Sequence, residues 1–117
     1  MKTEELKARL KEVLHFSTFT EAETSLRVIH ALYEDCRATR DGEGMTLCRQ
    51  RILDAKKRAL LIARNPKVAP RKRDQKKEMH LWFSLWLENA DTFFVWLDLR
   101  KNTRAFQELS KSEESNA

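Results

Sequence analysis

Residues 79–99, with the sequence MHLWFSLWLENADTFFVWLDL, form the most apolar stretch of the chain. In its first half, apolar side chains recur every three or four positions, which predicts a helix with one buried side; they are Met79, Trp82 or Phe83, Trp86 and Ala90. Asn89 and Asp91 interrupt the pattern, and Asp91 is a suitable N-cap for a second helix that is apolar almost all round. Such a helix is either central in the fold or covered by a partner. Polar residues throughout the stretch argue against a membrane span.

Two further helices are predicted at the start of the chain. The first covers residues 3–15, where leucines repeat at helical spacing. Thr20 and Glu23 form a capping-box pair that begins the second helix. The two glycines of the chain, Gly42 and Gly44, end it, because glycine suits the left-handed position after a helix.

The middle of the chain predicts a third helix and the start of a fourth. The third covers residues 46–64 and stops before Pro66, since a residue that precedes proline is disfavoured in the α conformation. The fourth leads into the apolar stretch and begins at Pro70, a favourable first helical residue, or at Asp74, a good cap. A short turn follows Thr103. Together these segments predict an all-α fold, a compact bundle of four to five helices.

Composition supports this fold class. The 117 residues include only two Gly and two Pro, too few for the many turns of a β-sandwich or barrel. A chain of this length folds around one core, so we expect a single helical domain over residues 1–109 and a disordered polar tail over residues 110–117. The N-terminus shows no secretory pattern. Two cysteines, Cys36 and Cys48, are too few for a disulfide scaffold, and a cytoplasmic protein is expected.

Positive charge is concentrated in one quarter of the chain. The net charge is +5, but residues 49–77 hold 12 Lys and Arg against 2 Asp, a net +10. A helix that begins at Pro70 places cations in its first turn, where they oppose the helix dipole and where a phosphate would be favourable. We therefore predict that residues 64–77 contact the phosphate backbone of DNA or RNA, with little base discrimination. The predicted contact residues are Arg64, Lys67, Arg71, Lys72, Arg73, Lys76 and Lys77. The alternative is a solvated surface without a partner.

Seven of the ten aromatic residues lie between positions 82 and 106. Large aromatic side chains at helical spacing usually form a core. Their density also indicates a surplus apolar surface for a homodimer or a protein partner, so the alternative function is a non-enzymatic helical protein–protein interaction module. The candidate interface residues are Trp82, Trp86, Phe93, Phe94 and Trp96. A membrane surface is disfavoured as the partner, because the tryptophans and the cations do not share one long amphipathic face.

No catalytic or metal-binding pattern stands out in the sequence. There is no glycine-rich phosphate loop, and the three histidines, His15, His30 and His80, stand apart in the chain. Cys36 and Cys48 have no evident further ligands for zinc. We expect a protein without enzymatic activity, metal or cofactor.

Overall fold

A computed structural model describes residues 2–114, apart from the side chains of Ser112 and Glu114. This range is helical and contains no β-strand, so the all-α prediction is confirmed. Its six helices are α1 (Thr3–Val13), α2 (Phe19–Ala38), α3 (Gly42–Ala63), α4 (Pro70–Glu88), α5 (Ala90–Lys101) and α6 (Arg104–Glu114). The prediction of four to five helices falls one short, because the turn after Thr103 continues into an 11-residue helix. Thr103 Oγ1 accepts from Phe106 N–H at 3.3 Å and so caps it.

The chain divides into two compact units, residues 1–55 and residues 56–117. The boundary lies within α3, so the first half of that helix packs with α1 and α2. Its second half belongs to the unit that contains α4, α5 and α6. The single domain over residues 1–109 stays a prediction. The predicted polar tail begins inside α6, and its last three residues, 115–117, lie outside the described part of the chain.

The start of α2 differs from the prediction by two residues. Thr18, not Thr20, is the N-cap, and its hydroxyl accepts from the N–H of Glu21 at 3.1 Å. The Thr18 hydroxyl also donates to the Glu21 carboxylate at 3.5 Å, so the capping pair is Thr18 with Glu21. Both pairs have the same spacing, and burial of Phe19 in the first unit accounts for the earlier start. Tertiary packing thus selects between two equivalent local signals.

The turn between α2 and α3 also differs from the prediction. The glycines do not end α2 but lie in the first turn of α3, and Arg40 takes the left-handed conformation with φ 57°. Asp41 Oδ1 accepts from the N–H of Gly44 at 2.9 Å, which caps α3. A Cβ on Gly44 would lie 2.5 Å from the Sγ of Cys36. Glycine is needed here for close helix approach rather than for backbone conformation.

The core of the second unit is formed by the aromatic stripe of α4 and the inner side of α5. Trp82, Phe83 and Trp86 are fully buried, and Phe93 and Leu97 join them from α5. The apolar periodicity of residues 79–90 is thus borne out by burial. This core positions the outer sides of α4, α5 and the second half of α3.

Candidate nucleic-acid interface

Five of the seven cations predicted to contact phosphate are exposed. They are Arg64, Lys67, Arg71, Lys72 and Lys77, and we call them the exposed cation set. They extend from the end of α3, through the connection at residues 64–69, to the first two turns of α4. Long cationic side chains in such positions can reach phosphate oxygens.

Lys76 differs from the prediction because it is buried. Only 3% of its surface is exposed, and its Nζ lies 3.8 Å from the Sδ of Met79. Lys76 precedes Met79 by three residues and Phe83 by seven, so it occupies the buried side of α4. The helical periodicity already contained this information. We remove Lys76 from the phosphate-contacting residues.

Arg73 lies between these two cases. Its side chain is half-buried, and its Nε is inaccessible to solvent and makes no hydrogen bond within the described residues. A buried guanidinium nitrogen without an acceptor is costly unless a ligand or water supplies one. Arg73 therefore remains a candidate for contact with an anion.

His80 connects the two parts of the basic segment. Its pKa is lowered, first by burial and then by the positive charges of Lys56 and Arg64. His80 on α4 therefore lies within electrostatic reach of Lys56 on α3 and of Arg64, which directly follows the end of α3. Lys77 and Arg73 precede His80 by three and seven residues, which places them on the same side of α4. We call Lys56, Arg64, Arg73, Lys77 and His80 the α3–α4 basic seam.

The N-terminus of α4 is open. The helix begins at Pro70, which was one of the two predicted starts, and not at Asp74. The N-cap Ala69 supplies no side-chain hydrogen bond. The first turn contains no acidic residue, and Arg71 and Lys72 are exposed there. The first N–H groups of a helix have no partner within it. Free N–H groups and cations at one helix end together favour an anion.

Sequence reasoning missed two residues of this surface. His80 was considered only as an isolated histidine, and Lys56 was not placed among the contact residues. Outside the surface, Lys57 and Arg58 are exposed on the second half of α3, where Lys57 precedes Arg64 by seven residues. The seven-residue spacing puts Lys57 and Arg64 on one side of the helix and was visible in the sequence.

The predicted aromatic interface differs from the structure at three of its five residues. Trp82, Trp86 and Phe93 are fully buried within the second unit, so they are not available to a partner. Phe94 and Trp96 are half-buried and pack against Phe93, with ring centroids 5.0 and 5.9 Å from it. Interior packing of the unit uses these rings.

The two thiols are also internal. Cys36 and Cys48 are both buried and unbridged. Burial raises the pKa of Cys48 to about 12, with a further contribution from Cys36, and burial also raises the pKa of Cys36. Among the described side chains, no group of three His, Cys, Asp or Glu residues is arranged to hold a metal ion.

Comparisons with other proteins add no identification. No family model matches the chain, and no curated protein or solved structure is significantly similar to it. Among the helices described for residues 2–114, none is both long enough and apolar enough to cross a membrane.

Proposed function

We propose that this protein binds the phosphate backbone of DNA or RNA through the α3–α4 basic seam and the exposed cation set, with little base discrimination. The observation that carries the proposal is the position of His80, on the same side of α4 as Arg73 and Lys77, within the electrostatic field of Lys56 and Arg64. This position supports a single positive surface formed by Lys56, Arg64, Arg73 and Lys77. The proposed role is binding and includes no catalytic step.

The charge balance of the segment favours a polyanion. Residues 56–77 contain ten Lys and Arg and one acidic residue, Asp74, a net charge of +9. Such a concentration of like charge opposes the compact state through self-repulsion. A nucleic acid relieves that repulsion and releases its own condensed counterions on binding.

The composition of the surface favours phosphate over bases as the contacted group. Base discrimination usually requires amide or guanidinium groups held rigidly at base edges. Gln75 is the one neutral amide among residues 71–77, and it donates a hydrogen bond to Glu113 on α6. The remaining exposed groups of this range are the carboxylate of Asp74 and flexible cations, which position a backbone without selecting a sequence.

The direct test is binding to a mixed-sequence duplex DNA and to RNA across a salt series. In the test variant, the exposed cation set is changed to glutamine. The matched control also loses five exposed cations, Lys7, Arg9, Lys11, Arg104 and Lys111, so both variants have the same net charge. If each residue of the set contacts one phosphate, the slope of log affinity against log salt flattens by about 4 to 5 in the test variant, since each contact contributes about 0.9.

The control variant should keep the wild-type slope to within about one unit. If the slope of log affinity against log salt flattened equally in both variants, only net charge would matter, which contradicts a localised surface. A wild type that binds neither polymer more tightly than about 10⁻⁴ M at physiological salt would also overturn the proposal.

His80 offers an independent test. In the free protein, burial and then the field of Lys56 and Arg64 lower the pKa of the imidazole, and a phosphate backbone on the seam would neutralise that field. We therefore expect the pKa of His80 to rise when duplex is added, as followed by NMR titration of the ring protons. An unchanged His80 pKa at saturating duplex would place the bound polymer elsewhere.

A further inference from the structure

The three most exposed large apolar side chains in the described part of the chain all lie in the second unit. Leu61 is 71% exposed, Leu99 67% and Val95 66%, whereas Val28 and Leu81 are each only 38% exposed. Single exposed apolar residues are ordinary. These three are notable because the charges three or four residues from Leu61 are all basic, whereas those three or four residues from Val95 are all acidic.

The outer side of α5 combines apolar and acidic residues. Val95 and Leu99 are one turn apart and therefore adjacent on the helix surface. Asp91 lies four residues before Val95, and Asp98 lies three residues after it; both are exposed. We call these four residues the α5 acidic face.

The outer side of α3 in the second unit has the opposite charge. Leu61 follows Lys57 by four residues and Arg58 by three, and Arg64 follows Leu61 by three. All four side chains are exposed. We call them the α3 basic face. As on the α5 acidic face, its charged residues lie three or four positions from an apolar residue.

We propose that the α5 acidic face of one molecule docks on the α3 basic face of a second copy of this chain. Val95 and Leu99 then cover Leu61, while Asp91 and Asp98 lie opposite Lys57, Arg58 and Arg64. Two helices pack by placing the side chains of one between those of the other, and residues spaced by three and four form the contact. The two halves of the contact occur on one chain, which favours a second copy over another acidic or apolar partner.

The contact is heterologous, because two different faces meet. Such contacts close into a ring or continue as an open chain. Each face is one side of one helix, so a single contact is small and we expect association to be weak and concentration-dependent. Opposite charges at the rim make it sensitive to salt.

The test is sedimentation equilibrium of the full chain over a range of concentrations, at low and high salt. We expect the mean mass to rise above the monomer value of 13.9 kDa as concentration increases. We expect salt to weaken the association. A wild type that stays monomeric up to about 1 mM, a dissociation constant weaker than any useful contact, would overturn the proposal.

Two charge-reversal variants test the pairing of the faces. One carries Asp91→Lys and Asp98→Lys, and the other carries Lys57→Glu and Arg58→Glu. Each variant alone places like charges opposite one another, and we expect at least a roughly tenfold weaker association. In an equimolar mixture, the unmodified faces match each other and the modified faces match each other, so association should return.

Return of association in the mixture also shows that both variants are folded, because neither face exists without its helix. A mixture that remains monomeric while the wild type associates would overturn the proposed pairing. Wild-type association in each variant alone would place the contact on another surface and would equally refute it. Neither Lys57 nor Arg58 belongs to the exposed cation set, so these results are independent of the nucleic-acid proposal.

Discussion

Removal of Arg100 should destabilise the second unit far more than neutralisation of its partner, Glu78. Glu78 on α4 is buried, with 5% of its side chain exposed, and accepts from Arg100 Nε and Nη2 at 2.8 and 2.7 Å. Trp82 Nε1 donates a third hydrogen bond to the same carboxylate at 2.9 Å. Arg100 retains 27% exposure of its side chain. Arg100 is therefore better hydrated than Glu78. Loss of Arg100 leaves the buried carboxylate without its charged partner, so it should lower the free energy of unfolding more than neutralisation of Glu78.

The perturbation is Arg100→Met, which keeps an apolar stem of similar length but removes both charged donors. Glu78 would keep only the indole donor, and loss of one partner from a buried ion pair costs about 3–5 kcal/mol. Because Arg100 is partly hydrated, we expect the lower end, about 3 kcal/mol. Glu78→Gln leaves a neutral acceptor for Trp82 and a guanidinium that water can reach, so it should cost about 1 kcal/mol.

Urea unfolding followed by tryptophan fluorescence is the appropriate assay. All three tryptophans lie in residues 56–117, so their fluorescence reports the second unit. Circular dichroism provides a second probe, since Glu78 touches one of the indoles. Lys111→Met is the matched control, because its pair with Glu108 is exposed and should contribute less than about 0.5 kcal/mol. Equal losses for Arg100→Met and Glu78→Gln, or a loss below about 1 kcal/mol for Arg100→Met, would refute the reasoning.

Three further predictions concern single residues. His80 has a lowered pKa in the folded protein, so the unfolded chain takes up a proton first as pH falls. The free energy of unfolding should therefore decrease from pH 7.5 towards pH 5. In urea titrations over a pH series, His80→Asn should remove the part of this decrease that comes from His80. Gly44→Ala should lower the free energy of unfolding by about 1–3 kcal/mol, because the added Cβ would overlap Cys36 and Asp41. Gly42→Ala, whose Cβ would have no atom within 4 Å, should be neutral or stabilising. Equal changes of melting temperature in the two variants would contradict this account. Cys48, with a pKa of about 12, should be alkylated at pH 8 about a thousandfold more slowly than a free thiol, as measured by mass spectrometry, and unfolding in urea should abolish the difference.

Local chemistry and periodicity were sufficient to predict much of the second unit. Pro70 begins α4, the stripe of residues 79–90 is buried, and the charge of residues 49–77 is visible in the composition. These features depend on neighbours in sequence. The burial of Lys76 was also encoded, because its position on the helix places it on the same side as Met79 and Phe83 despite its charge.

The remaining features depend on contacts distant in sequence or on choices between equal local signals. Thr18 and Thr20 both precede a glutamate by three residues, and only the packing of Phe19 distinguishes them. Arg40 takes a left-handed conformation although glycines follow nearby, and Gly44 instead lies in the first turn of α3 beside Cys36. His80 became informative only when the structure placed it near Lys56 and Arg64.

Arg64 belongs to both of the proposed binding surfaces. It contributes to the α3–α4 basic seam, where it would face phosphate, and to the α3 basic face, where it would face the carboxylates of a second copy. One guanidinium cannot be fully paired with both, so the two proposed binding processes would oppose each other. By thermodynamic linkage, the factor by which a nucleic acid weakens self-association equals the factor by which self-association weakens nucleic-acid binding. Lys57 and Arg58 contribute to self-association alone, and Arg71 and Lys72 to phosphate binding alone. Substitutions at these four positions can therefore separate the two processes, whereas a substitution at Arg64 alters both.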